Sequence, residues 1–157
     1  MSRKPYGELS AMDREVVETI RQLRIEHSGR PVSAELELPT IMHDILRSYH
    51  GNVKLRLDVI SRVLGCTMRT LERAFVAQYS ETMNSFRERI RLEYAERILT
   101  FNPDIKLMSI AAELGYDRES EFNRFFRRKK GMSLTEYVKD VRARQDKGDF
   151  SARSTEV

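Results

Sequence analysis

The chain repeats itself. Displaced by 50 residues, Leu57 falls on Leu107, Ile60 on Ile110, Leu64 on Leu114 and Gly65 on Gly115. Displaced by 51, Leu71 falls on Phe122, Arg73 on Arg124, Phe75 on Phe126, Thr82 on Ser133 and Phe86 on Tyr137. A slip of one residue inside a turn, with apolar positions in register on both sides, is what two copies of one supersecondary unit leave in a sequence. Whatever short elements build one copy must therefore build the other.

Within each copy the apolar spacing is helical. Ile41, Ile45 and Leu46 predict a helix ended by Gly51. Val59, Ile60, Val63 and Leu64 predict a short one ended by Gly65, and Leu71, Phe75 and Val76 a third that follows at once. From Thr82 a longer helix carries Phe86, Ile90, Tyr94, Ile98 and Leu99 on one face until Asn102 and Pro103 stop it. The cycle then recurs. Ile110, Ala111 and Leu114 precede Gly115; Phe122, Phe125 and Phe126 precede Gly131; a capping box of Ser133 and Glu136 opens a last helix through Tyr137, Val138 and Val141. The four glycines stand where a helix end calls for a left-handed residue.

Upstream, Ser10 with Asp13 opens an amphipathic helix bearing Met12, Val16, Val17, Ile20 and Leu23, which ends near Ser28 and Gly29. Val32, Ala34, Leu36 and Leu38 then alternate with polar residues between Pro31 and Pro39. A lone strand has nothing to pair with, so this stretch is read either as an extended segment packed on helices or as the remnant of a strand whose partners are absent. The tail from residue 147 is short, polar and expected to be disordered. The expected fold is all-α, a seven-helix pair of two-helix units joined by a long linking helix, plus an extra N-terminal helix. Its expected divisions are 1–37 (N-terminal extension), 38–146 (paired units) and 147–157 (tail).

Composition narrows the function. At 157 residues the chain is about one average domain, which argues against a multi-domain enzyme. Its longest uninterrupted apolar run is residues 74–77, where a membrane span needs roughly 18 or more. Arg3 and Lys4 are followed by no apolar stretch, so no secretory signal is read and a cytoplasmic setting is the default. Cys66 is the sole cysteine, and His27, His43 and His50 make no cluster at metal-ligand spacing. His43 and His50 are read as surface or cap residues, and Cys66 as a small turn residue. No Gly-rich phosphate loop or nucleophile-base pair is visible, so neither enzyme activity nor a cofactor is expected. The charge is uneven. Residues 1–50 hold 7 Lys and Arg against 8 Asp and Glu, whereas residues 51–147 hold 20 against 14.

A short helix, a turn with Gly and a second helix form a helix-turn-helix, whose second helix lies in the DNA major groove. One such hairpin could equally be a packing motif, but two registered copies in the net-basic part of the chain favour double-stranded DNA as the partner. The linking helix, residues 82–101, spans roughly 30 Å at 1.5 Å per residue, close to the separation of about 34 Å between adjacent major-groove segments. Unlike copies on one chain would read an asymmetric, bipartite site.

The segment IAAELGYDRESEFNRFFRRKKG (residues 110–131) followed by MSLTEY (132–137) resembles the signature of the AraC/XylS-type bacterial transcription regulators. Residues 57–86 resemble the family's less uniform first helix-turn-helix, and the resemblance runs over about residues 38–142. It implies a double helix-turn-helix (homeodomain-like pair), sequence-specific promoter binding and contact with RNA polymerase. Leu134 stands where the family usually has proline, Val138 where Arg is common and Glu121 where Tyr is common. Regulators of this family often carry an N-terminal ligand-sensing barrel, and thirty-seven residues cannot enclose a ligand pocket. No small-molecule effector is therefore expected on this chain, which is read as a single-domain regulator controlled by its abundance or as the DNA-binding end of a longer protein.

The candidate DNA contacts of the first copy are Arg69, Thr70, Glu72 and Arg73, outward between the inward Leu71 and Phe75. Arg pairs bidentately with guanine and Glu accepts from cytosine. Those of the second copy are Arg118, Glu119, Ser120, Asn123, Arg124 and Arg127, with Lys130 a further candidate for phosphate. Glu119 and Glu121 would repel phosphates, which leaves a helical protein-interaction module as the alternative class.

Overall fold

In the computed structural model residues 9–26 and 37–154 are described. They form α1 (Ala11–Glu26), α2 (Leu38–Ser48), α3 (Leu57–Leu64), α4 (Met68–Tyr79), α5 (Met83–Phe101), α6 (Leu107–Glu113), α7 (Glu119–Lys130) and α8 (Leu134–Ser154). No strand occurs among the described residues. Residues 32–36 of the alternating stretch lie outside them, and its last residue, Leu38, opens α2 as a buried side chain. No helix among the described residues is long and apolar enough to cross a membrane. The chain divides within α5 into two units, Met1–Glu88 and Arg89–Val157.

In the first unit α1 packs on α3, α2 on α4 and α3 on α4. α1 starts at a reciprocal box: Ser10 Oγ accepts the Asp13 N–H at 3.1 Å and donates to Asp13 Oδ2 at 2.8 Å. Its Val16, Val17 and Ile20 turn inward with Met42, Ile45, Leu46, Val59, Ile60, Leu64, Leu71 and Phe75. His43 is no surface residue. Its ring stacks against those of Tyr79 and Phe86, with centroids 4.4 Å away in each case, because residue 43 follows the buried Met42 on the flank of α2 that meets α4. His50 does lie at a helix end, past α2 with φ 54°. Arg87 of α5 donates to the Asn52 and Leu55 carbonyls, which fixes the α2–α3 loop.

In the second unit α6 packs on α7 and α7 on α8. The core gathers Tyr94, Leu99, Ile110, Leu114, Phe122, Phe125, Phe126, Leu134, Tyr137 and Val141. Arg91 is only 6% exposed. Its guanidinium lies 4.6 Å from the Phe125 centroid and donates to the Tyr116 hydroxyl at 3.0 Å, so aromatic faces replace part of its lost hydration. Where a disordered tail is expected, the α8 backbone continues to Ser154. No proline interrupts it, Gly148 costs a helix only about 1 kcal/mol, and Arg144 pairs with Asp140 one turn back at 3.0 Å.

The repeat governs burial. Ile60 and Ile110, Leu64 and Leu114, Leu71 and Phe122, Phe75 and Phe126, and Phe86 and Tyr137 are all buried. It also governs helix ends, with one exception. Gly131 ends α7 at φ 74°, whereas its counterpart Ser80 ends α4 at φ 55°, a conformation that an L side chain adopts at a cost.

Ser80→Gly should raise the thermal midpoint of the protein. Gly131→Ala, whose added methyl would meet nothing within 4 Å, should lose about 1 kcal/mol from backbone strain alone; calorimetry on both variants checks the pair. Burial, aided by a hydrogen bond to the Glu113 carboxylate, pushes the Tyr94 hydroxyl up from 10.0 to about 12. The raised value favours the neutral phenol in the fold, so this stabilisation is complete below pH 10 and lost as pH rises from 10 to 12. Urea unfolding at pH 9 and pH 11 should show that loss, and Tyr94→Phe should remove its share.

Candidate nucleic-acid interface

The second helix of each unit presents one face outward. In α4 the residues Leu71 and Phe75 are fully buried, so Arg69, Arg73 and Val76, at positions i, i+4 and i+7, face solvent. In α7 the burial of Phe122, Phe125 and Phe126 leaves Ser120, Arg124 and Arg127 on the corresponding face. Among the described residues, the side chains of Arg69, Arg73, Arg124 and Arg127 have no hydrogen-bond or ion-pair partner.

α4 begins with a side-chain cap. The Thr70 N–H donates to Thr67 Oγ1 at 3.1 Å, and the Thr67 hydroxyl donates to Thr70 Oγ1 at 2.9 Å. Thr70 is exposed beside this cap. α7 begins differently: Arg118 stands at the cap position without a capping side chain, and Glu119 and Glu121 occupy the first turn. Their negative charge complements the exposed N–H groups there, and Arg127, Arg128, Lys129 and Lys130 complement the C-terminal end.

Besides Thr70, three sequence candidates are already engaged. Glu72 is half-buried, and its Oε1 accepts the Met83 N–H at 3.3 Å. Asn123 is half-buried too, and its Oδ1 accepts the Leu134 N–H at 3.0 Å. Lys130 pairs with Glu96 at 3.0 Å. Conversely, Val76, one of the apolar residues whose spacing predicts this helix, is 40% exposed, and Met68 at the start of the same helix is 37% exposed. Val76 adjoins the buried Phe75 in sequence. The 51-residue register pairs it with Arg127, and that pairing marks the position as outward.

The helix-turn-helix domain family matches residues 60–140, just over half of the chain. A solved structure, the C-terminal domain of AraT, a response regulator from Geobacillus stearothermophilus, superposes with a TM-score of 0.60 at 19% identity. The match covers 66% of this chain and 84% of that one. The chain belongs to the AraC-type helix-turn-helix family. No curated protein sequence matches it. As a member of this AraC-type family it is a DNA-binding domain of transcription regulation.

The cap of α4 provides a check on how that helix starts. Thr67→Ala should cost about 1 kcal/mol, and amide exchange should show faster opening of the Thr70 N–H with no change at the uncapped start of α7.

Proposed function

We propose that this AraC-type chain is a sequence-specific regulator that reads an asymmetric, bipartite site, one half with α4 and the other with α7, laid in adjacent major grooves. The observation that carries this reading is Arg73 and Arg124: they hold the same position in the two repeats, both are exposed, and neither is paired with a described residue. A guanidinium so placed can donate two parallel hydrogen bonds to guanine O6 and N7, which gives about 1 to 3 kcal/mol of discrimination.

The two halves carry different chemistry. α4 presents Arg69 and Thr70 with the apolar Met68 and Val76, and such apolar groups fit thymine methyls. α7 presents Arg118, Glu119, Ser120, Arg124 and Arg127, a set suited to phosphates at its basic end and to donors at its acidic start. A bacterial cytoplasm, where promoter DNA and RNA polymerase meet, is the setting this reading implies, with polymerase as the second partner.

Selection of bound duplexes from a random pool by the purified chain tests it. Two unlike boxes about one helical turn apart are expected. Arg73→Ala should weaken the selected site by tenfold or more, about 1.4 kcal/mol or above, while changing affinity for random duplex only slightly. A single box would confine base reading to α4. No enrichment would overturn the reading in favour of a helical protein-interaction module, which the two carboxylates at the start of α7 favour.

A further inference from the structure

Glu72 and Asn123 occupy the same place in the repeat, and so do the groups they bind. Each is the fifth residue of a recognition helix, and each accepts the N–H of the first residue of the helix that follows, Met83 of α5 or Leu134 of α8. We propose that Glu72 and Asn123 are positioning residues, a clamp present once in each unit that fixes the angle of the recognition helix against its neighbour and so the angle at which it enters DNA. The proposal rests on the reading of α4 and α7 as helices that bind DNA, and it removes Glu72 and Asn123 from the set that reads bases.

The physical need for the clamp lies at the helix starts. The first N–H groups of a helix have no partner within it. In α5 the Thr82 hydroxyl accepts the Ser85 N–H at 3.1 Å, and in α8 the Ser133 hydroxyl accepts the Glu136 N–H at 3.1 Å. Those caps serve the third residue of each helix. The first residue, Met83 or Leu134, is 1% exposed and cannot turn to water without leaving the core. An acceptor from the recognition helix answers that donor, and in answering it ties two helices together at one point. The tie is directional: a carboxylate or amide oxygen held near 3 Å from a backbone N–H resists rotation of α4 or α7 about its own axis, the motion that would swing Arg73 or Arg124 along the groove.

A clamp and a base contact respond differently to removal of the donor. Proline at the first position of a helix keeps the helix and deletes the N–H, so Leu134→Pro abolishes the bond from the far side without altering the surface of α7. Affinities for a selected and a random duplex are measured for the wild type, Asn123→Ala, Leu134→Pro and the double variant, at a temperature where circular dichroism shows each to be folded. Asn123→Ala is expected to weaken the selected duplex about fivefold, in the range of one lost hydrogen bond, to leave the random duplex unchanged, and to cost nothing further in the Leu134→Pro background. Repeat selection with Asn123→Ala should return the same base preferences. An equal loss in both backgrounds, or a relaxed preference at one base pair, overturns the proposal and makes Asn123 a base reader.

Glu72 gives a second arm that needs no proline. Glu72→Gln, which keeps an acceptor oxygen, should retain binding that Glu72→Ala loses, and amide exchange at Met83 should quicken only in the alanine variant. Unchanged exchange at Met83 in Glu72→Ala and at Leu134 in Asn123→Ala sinks the clamp while leaving the DNA reading intact. Failure of the wild type to select any sequence sinks the DNA reading and the positioning role with it, whatever the exchange data show.

Discussion

The inner faces of α4 and α7 decide what their outer faces can do. Leu71 and Phe75 in one, and Phe122 and Phe126 in the other, are all fully buried. Burying a large apolar side chain is worth about 1.5 to 3 kcal/mol, and two or three such residues on each helix outweigh anything an arginine could recover by turning inward. With the inner set fixed at a spacing of three and four residues, the outer set has no freedom of rotation left. Arg73 and Arg124 are exposed because their neighbours cannot be.

This dependence explains why so much of the fold was legible in the sequence. The register that pairs Leu71 with Phe122 and Phe75 with Phe126 is a register of burial, and it carries the helix ends and the helix starts with it: Gly65, Gly115 and Gly131 all take positive φ, and Thr82 and Ser133 both cap. What hydropathy could not settle was direction at the boundary of an apolar stripe. Val76 adjoins Phe75 and is as apolar, yet it is exposed, as is its partner in the repeat, Arg127. His43 looks like a polar surface residue in sequence, yet an imidazole is a flat ring that can stack on others, and Tyr79 and Phe86 come to it from other helices. Glu72 and Asn123 read in sequence as outward polar residues; that each is half-buried and meets the start of the next helix is a tertiary fact with no signal in spacing.

The two units solve the same local problems with different residues. α4 opens on a threonine cap and closes on a strained serine, while α7 opens on carboxylates and closes on a glycine. Each device favours the helix by a different route, the first through directed hydrogen bonds and the second through charge set against the helix dipole. The second route places acidic residues at the start of α7. Glu119 and Glu121 thus stabilise α7 in the free protein and, in the proposed DNA-bound arrangement, would oppose phosphate, whereas the first turn of α4 carries no acidic residue. In the proposed reading, an unequal division of labour between α4 and α7 follows from how each helix is begun.

The departure at Leu134 fits the same logic. The family usually places proline there, and proline at the first position of a helix has no N–H to satisfy. Leucine brings a donor into a site where its side chain is 1% exposed, and an unanswered donor in such a place costs about 1 to 3 kcal/mol. Asn123 supplies the acceptor at 3.0 Å. Met83 sets the same requirement in the first unit, and there a carboxylate answers it. A residue that can accept at the fifth position of the recognition helix is thus demanded by the identity of a residue eleven places on, in a different helix. The freedom of that position to read bases is correspondingly smaller than its place on the helix would imply.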